Sequence, residues 1–294
     1  MIERDSRRIV VGVDGSAGGA EAARWAAGEA QLHGRQVQAV CVYSWPVPLI
    51  PLAPPPAQWT EESLRAGAEK ALAEAVAVVR AAAPEVGVAG VALPGLAAYK
   101  LIEMSSGASM VVVGHRGHGG FAALRLGSVA AKVAAYAHSP VVVVRPGAGD
   151  RVLEPAIVLV GVDGSPASDA AAGLAFEEAD RRDCAIRVLH SWELPALPWR
   201  GEAWPPLPNH AELEAAGQHR LQQWIQPWRD QHEQVTVEQR VTGTRPAAAL
   251  IEAASDATLL VVGSRGHGGF AGLLLGSVSQ QVIHHAPCPV VVVR

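Results

Sequence analysis

Apolar residues along this chain follow two alternating patterns. Short β-branched runs, apolar at successive positions, are separated by alanine-rich segments whose apolar residues recur every three or four positions. The first pattern predicts buried strands and the second predicts helices. Ile9–Val13 reads as a strand ending in Asp14-Gly15-Ser16, and a helix follows to about Leu32 with Ser16 placed to cap it. Val37–Tyr43 is a second strand, and it empties into an aperiodic proline-rich loop over 46–56. Glu61–Ala83 is a long helix with Leu64, Ala68, Leu72, Val76 and Val79 on one stripe, stopped by Pro84. Strand Val86–Leu93, helix Ala97–Ser106, strand Met110–Val113, helix Ser128–Ala137 and strand Val141–Val144 complete a β-α-β-α-β-α-β-α-β series.

The series then repeats. Strand Ile157–Val162, helix Ala167–Arg181, strand Ala185–His190, a proline-rich loop over 195–208, helix Ala211–Trp228, strand Val235–Val241, helix Pro246–Ala254, strand Leu259–Val262, a further helix and strand Val290–Val293 come in the same order. Asp14 and Asp163, Gly114 and Gly263, and Pro140 and Pro289 each stand 149 residues apart, so no gap separates these anchors. A period this long indicates duplicated domains. The expected boundaries are 1–145 and 156–294, with 146–155 as a linker. Strands apolar on both faces and alternating with helices predict an α/β fold: two tandem open, parallel five-stranded sheets with helices on both faces. In such sheets ligands bind beyond the carboxyl ends of the strands, where strand order reverses. Asp14, Val42 and Gly114 all lie at strand ends of that kind.

One stretch stands out in both copies. Val111–Val129 reads VVVGHRGHGGFAALRLGSV, and Val261–Val278 reads VVGSRGHGGFAGLLLGSV. The glycines Gly114, Gly117 and Gly127 and their counterparts Gly263, Gly266 and Gly276 make the pattern G-x2-G-x9-G-S twice. Glycines allow backbone N–H groups to approach a ligand, and they tolerate positive φ, which Gly117 and Gly266 are expected to use. A loop that feeds a helix N-terminus favours anions, so each stretch is predicted to cradle phosphate.

Composition narrows the function. With 49% hydrophobic and 18% charged residues, neither a disordered chain nor one that coats nucleic acid fits. The net charge of −4 lacks a basic footprint. Cys41, Cys184 and Cys288 form no C-x-x-C and read as buried apolar residues. The charged start passes directly into a strand, and the apolar runs are of strand length, so a cytoplasmic protein with no membrane span is expected. His284 and His285 have no matched set in the first copy, and no metal site is expected.

The V-G-V-D-G-S start, the G-x2-G-x9-G-S loop and the closing P-V-V-V-V strand resemble the universal stress protein family in its tandem two-domain bacterial form. The resemblance covers nearly the whole chain twice. It implies a Rossmann-like, adenine-nucleotide-binding fold with one ATP in each domain, with or without Mg2+. Carried over by position, Gly12 and Gly161 let the base lie close to the first strand, and Asp14 and Asp163 accept hydrogen bonds from ribose or face the adenine edge. Val42 and Ser191 present backbone groups to adenine, with Ser191 a polar departure in the second copy. Gly114, Gly117, Gly127, Ser128 and Val129, with Gly263, Gly266, Gly276, Ser277 and Val278, surround the triphosphate. Arg116, His118, Arg265 and His267 add donors, and His115, Gly119, Gly120, Ser264, Gly268 and Gly269 complete the loops.

Rival readings exist for each feature. The glycines could mark tight turns, Asp14 could cap the first helix, and the loop histidines could be solvated. Gly117-x-Gly119-x-x-Ala122 imitates a dinucleotide fingerprint but follows the fourth strand and lacks the acidic residue further on. His115-Arg116-Gly117-His118 imitates the H-x-G-H of nucleotidyltransferases, yet the second copy has Ser264 in place of the first histidine. No G-x-x-x-x-G-K-[ST] occurs. The expected function is nucleotide-dependent regulation in a stress response, with at most weak ATP hydrolysis; the alternative is an ATP-hydrolysing or adenylyl-transferring enzyme. Expected partners are a regulatory protein and a second copy of the chain, with Val141–Val144 and Val290–Val293 pairing the two domains within one chain.

Overall fold

The computed structural model describes residues 8–44, 60–118, 126–147, 155–192, 209–267 and 274–294. The chain forms two compact units, Met1–Arg151 and Val152–Arg294. The first contains β1 (Arg8–Val13), α1 (Ala17–His33), β2 (Gln36–Tyr43), α2 (Glu61–Ala82), β3 (Val88–Pro94), α3 (Ala97–Ser105), β4 (Met110–Gly114), α4 (Ser128–Tyr136) and β5 (Val141–Val144). The second contains β6 (Ile157–Gly161), α5 (Pro166–Arg181), β7 (Ala185–Ser191), α6 (His210–Gln231), β8 (Val237–Thr242), α7 (Pro246–Ala253), a 3-10 turn (Ala254–Asp256), β9 (Leu259–Gly263), α8 (Ser277–His285) and β10 (Val290–Val293).

Within the first unit the strands pair in parallel in the order β3-β2-β1-β4-β5. The second unit repeats this as β8-β7-β6-β9-β10. Helices α1 and α2 pack together on one face and α3 and α4 on the other, which makes each unit a doubly wound, Rossmann-like layer structure. The valine runs of β4, β5, β9 and β10 are buried along their length, as strands covered on both faces must be. Small residues let α1 lie close to the sheet: Ala22, Ala23, Ala26, Ala27 and Ala30 have no exposed surface.

The helices begin where the sequence supplies caps. Ser16 accepts a hydrogen bond from the Gly19 amide, and Ser165 does the same for Ser168. Capping boxes open α2 at Thr60 and α6 at Asn209. Three boundaries differ from the sequence reading by two residues or more. Strand β3 starts at Val88, because the Val86 amide closes a turn onto the Ala83 carbonyl. Val235 closes the matching turn onto His232, so β8 starts at Val237. Helix α6 runs past Trp228 and through Pro227 to Gln231; the proline forfeits one amide bond, while the His232 amide on the Trp228 carbonyl and the Trp228 indole on Asp169 hold the last turn. The proline-rich loops lie outside the described residues.

This topology places the candidate site. Strand order reverses between β1 and β4, which are direct neighbours, and between β6 and β9 in the second unit. Asp14 and Gly114 therefore leave the sheet side by side, as do Asp163 and Gly263.

Candidate functional site

In each unit one carboxylate ties two loops together. Asp14 Oδ1 accepts the Ser16 amide at 3.0 Å and the Ser16 hydroxyl, which shapes the β1–α1 turn. Asp14 Oδ2 accepts the His118 amide at 3.0 Å, across 104 residues of chain. The second unit repeats both bonds. Asp163 Oδ1 takes the Ser165 amide at 3.0 Å and Oδ2 takes the His267 amide at 3.1 Å. Bonds from amides to a carboxylate are charge-assisted and stronger than neutral ones.

That bond explains one glycine of the motif. A Cβ built on Gly117 would collide with Asp14 Oδ2, and one on Gly266 would collide with Asp163 Oδ2. Neither glycine has positive φ, contrary to expectation; the missing side chain is needed for the approach of the carboxylate. The positive φ values belong to Gly15 and Gly164, at 80° and 83°, in the turns just after the aspartates.

The long loop is closed at its mouth. The Gly127 amide donates to the His115 carbonyl at 2.7 Å, and the Gly276 amide to the Ser264 carbonyl at 2.7 Å. The start of each loop is held in turn by the last strand of its unit, through the amides of His115 and Ser264 on the carbonyls of Val144 and Val293. Helices α4 and α8 then begin at Gly127 and Gly276 with no side-chain cap. Their first N–H groups stay free for an external acceptor, and the helix dipole adds to the pull on an anion. In the second unit these parts surround a cavity of about 680 Å³. Gly276, Ser277 and Val278 form its helix end, Gly263, Arg265, Gly266 and His267 its loop side, and Gly161, Asp163 and Ser191 its sheet side.

Several predicted residues have other roles than expected. The space beside Gly12 is filled by Leu101 of α3, whose Cδ1 lies 2.7 Å from a Cβ built there, so this glycine admits a helix side chain. Leu250 of α7 does the same at Gly161, with 2.9 Å, and also lines the cavity. The Ser191 hydroxyl is engaged by the Thr244 carbonyl. Val42 pairs with Leu93 in the sheet and is half-buried. Ser264 is buried under its loop, with 1% of its surface exposed, and does not line the cavity. His118 and His267 contribute amides while their side chains are exposed. Ser128 is exposed and Val129 half-buried on the first turn of α4. Gly119, Gly120, Gly268 and Gly269 lie outside the described residues. The sequence reading missed Val162, Ser168, Leu189, Pro246, Leu250, Val262 and Ser279 of the wall. Leu189 and Val262 sit at strand carboxyl ends next to predicted positions, which was the available signal.

The perturbed titratable groups differ between the copies. Burial works to raise the pKa of Asp163, but hydrogen bonds from the Ser165 hydroxyl and amide, the His267 amide and Ser168 outweigh it and bring it below the ordinary carboxylate value. In the first unit, burial and then the positive charges of Arg145 and Arg116 push His115 down to about 4. His115 Nδ1 and Arg116 Nε are buried with no hydrogen-bond partner among the described residues. A guanidinium N–H left over in this way suits an anionic ligand.

Two outcomes are expected. Gly117→Ala and Gly266→Ala break the carboxylate bond of their own unit while the sheets persist, so amide exchange at His118 or His267 accelerates with little change at β4 or β9. Equal protection in variant and wild type would contradict the role given to these glycines. The second outcome concerns pH. Because the folded chain resists protonating His115, the unfolded chain binds the extra proton between about pH 6.5 and about pH 4. Stability from this residue is thus full above that window and is lost as pH falls through it. His115→Ser, which copies the second unit, should flatten the acid side of a plot of Tm against pH; an unchanged slope would show that His115 is not held neutral.

Comparison with known proteins fits this architecture. The family model described as the universal stress protein family matches residues 6–145 and again 156–294. A universal stress protein of Mycolicibacterium smegmatis is 38% identical over 298 residues, covering 97% of this chain and 96% of the relative. One from Mycobacterium tuberculosis is 35% identical over 296 residues, with coverage of 97% and 96%. Among solved structures, a universal stress protein from Archaeoglobus fulgidus shares the fold at a TM-score of 0.70 and 20% identity, covering 98% of both chains. With the family matched twice in succession over a repeated doubly wound fold, this chain belongs to the universal stress protein family, as a tandem of two copies.

Proposed function

We propose that each unit, 1–145 and 156–294 about a linker at 146–155, binds one ATP, and that occupancy governs a regulatory interaction in a stress response. The observation that carries this reading is the second-unit cavity, where an uncapped helix start and a glycine loop face an aspartate across about 680 Å³. That volume lies in the range of small-ligand sites. The triphosphate lies against the first amides of α8 and α4, within reach of Arg265 and Arg116. The ribose lies toward Asp163 and Asp14, whose Oδ2 atoms each hold one amide and keep a lone pair for a hydroxyl. Mg2+, if bound with the nucleotide, would supply positive charge against the phosphates.

Regulation is favoured over catalysis by one observation. Among the described residues that line the cavity, Asp163 is the one carboxylate, and it is already held by the loop and the turn. Phosphoryl transfer needs a group free to position water or accept a proton. No helix among the described residues is long and apolar enough to cross a membrane. The uncharged valine runs of β5 and β10 are the surfaces through which the proposal pairs the units, and a second copy and a regulatory protein are its further partners.

Calorimetry of the full chain with ATP tests the proposal: two nucleotides per chain are expected, and one in Asp14→Ala or Asp163→Ala. Each substitution should cost about 1.5 to 3 kcal/mol of ATP affinity at its own site and weaken inorganic triphosphate less. The aspartate also holds the loop, so triphosphate is not spared altogether. Absence of ATP binding would refute the reading, and turnover near ~10 s⁻¹ would favour the enzyme.

A further inference from the structure

The two copies hold their aspartate turns differently. In the second unit the turn Val162-Asp163-Gly164 is gripped by two rings. His190 of β7, 8% exposed, donates from Nδ1 to the Val162 carbonyl at 3.0 Å. Its ring meets Trp224 of α6 edge to face, with centroids 5.1 Å apart and planes at 82°. Trp224 in turn covers Gly164: a Cβ built on that glycine would lie 2.5 Å from Trp224 Cζ2. One ring is bonded to the residue before Asp163, the other is packed on the residue after it, and the rings touch. Edge-to-face pairs of this kind add to the energy of burial.

Among the described residues the first unit has no equivalent. At the 149-residue offset Cys41 stands for His190 and Ala75 for Trp224. Among those residues a Cβ built on Gly15 would meet the Ala71 methyl, at 3.4 Å, and the His118 ring, at 3.6 Å. Asp14 is exposed, whereas Asp163 is half-buried, and the Asp163 amide also reaches the Ser168 hydroxyl at 3.3 Å. In the first unit the turn is held by the bonds of Asp14 and by the Ser16 cap. In the second the two rings add to the matching bonds, and added preorganisation of this sort appears as affinity.

On the reading of each unit as a nucleotide site, we propose that the sites are unequal: the second, braced by His190 and Trp224, fills at lower ATP concentration than the first. Trp224 is then a positioning residue, and its indole reports occupancy of the second site to α6. The chain becomes a graded sensor, half-filled over one range of nucleotide concentration and filled over a higher one. Arginine charge does not separate the two sites, since Arg265 and Arg294 stand in the second unit where Arg116 and Arg145 stand in the first.

The test is ATP titration of the full chain, followed by calorimetry and tryptophan fluorescence. Two phases are expected in wild type, the tighter one lost in Asp163→Ala and kept in Asp14→Ala. A fluorescence change should accompany the tight phase alone and vanish in Trp224→Phe, which retains an edge-to-face ring and most of the affinity. Trp224→Ala should weaken the tight phase by about tenfold, merging the two phases. If that variant does not fold, the comparison of the aspartate variants with Trp224→Phe still decides. Equal affinities in wild type, or a tight phase that survives Asp163→Ala and disappears in Asp14→Ala, would overturn the inequality while leaving two nucleotide sites in place. Absence of ATP binding in every variant would remove the nucleotide reading itself, and this inference with it.

Discussion

The carboxylate at the end of the first strand of each unit is the interaction on which the site depends. Asp14 and Asp163 accept amides from their own turn with one oxygen and from the distant glycine loop with the other. The bond is charge-assisted in both units, and at half-buried Asp163 it also offsets the cost of taking the carboxylate out of water. The rest follows from this contact. Gly117 and Gly266 must lack a side chain for the oxygen to reach the amide, and the mouth of the loop must be closed by Gly127 and Gly276 for the helix to start at the same crevice. The N-termini of α4 and α8 are left without a side-chain cap beside this contact, and the proposed anion site rests on that feature.

Much of this was legible in the sequence because periodicity and repetition report directly on the backbone. The alternation of valine runs with alanine-rich segments is the doubly wound sheet, and the constant offset is the tandem copy. The motif glycines and the aspartates also fall where the topology brings them together. What was not legible is the reason for individual residues. Gly12 reads equally well as room for a base or for Leu101, and only the packing of α3 distinguishes the two. Positive φ at Gly117 was a reasonable inference from residue type, but the strained turn sits instead at Gly15. The helix expected to end at Trp228 runs on to Gln231, and side-chain bonds from Trp228 to Asp169 and from His232 to Asp180 hold that extra turn. Leu250 and Pro246 were missed as cavity walls because they are ordinary helix residues that acquire a role only by facing the strand ends.

The two copies share their scaffold and differ in what surrounds it. Position 115 is a partly buried histidine among arginines, while its counterpart Ser264 is small and neutral. The second unit fills the contact between α5 and α6 with indoles seated on glycines: Trp224 on Gly164 and Trp228 on Gly173. Where the second unit places Trp224 the first has alanine, so the same backbone is stiffened in one copy and left more accessible in the other. Divergence of this kind is what duplicated domains permit, since one copy retains a function while the other changes its response.

The central claim is that the aspartate, the glycine loop and the uncapped helix form one anion-and-ribose site in each unit. A crystal structure of the full chain grown with ATP tests it most directly. The account predicts triphosphate density against the amides of Ser277, Val278 and Ser279, a ribose hydroxyl within hydrogen-bond distance of Asp163 Oδ2, and the His267 amide still on that carboxylate. Nucleotide density on another surface, or a loop that leaves Asp163 when ATP binds, would contradict it.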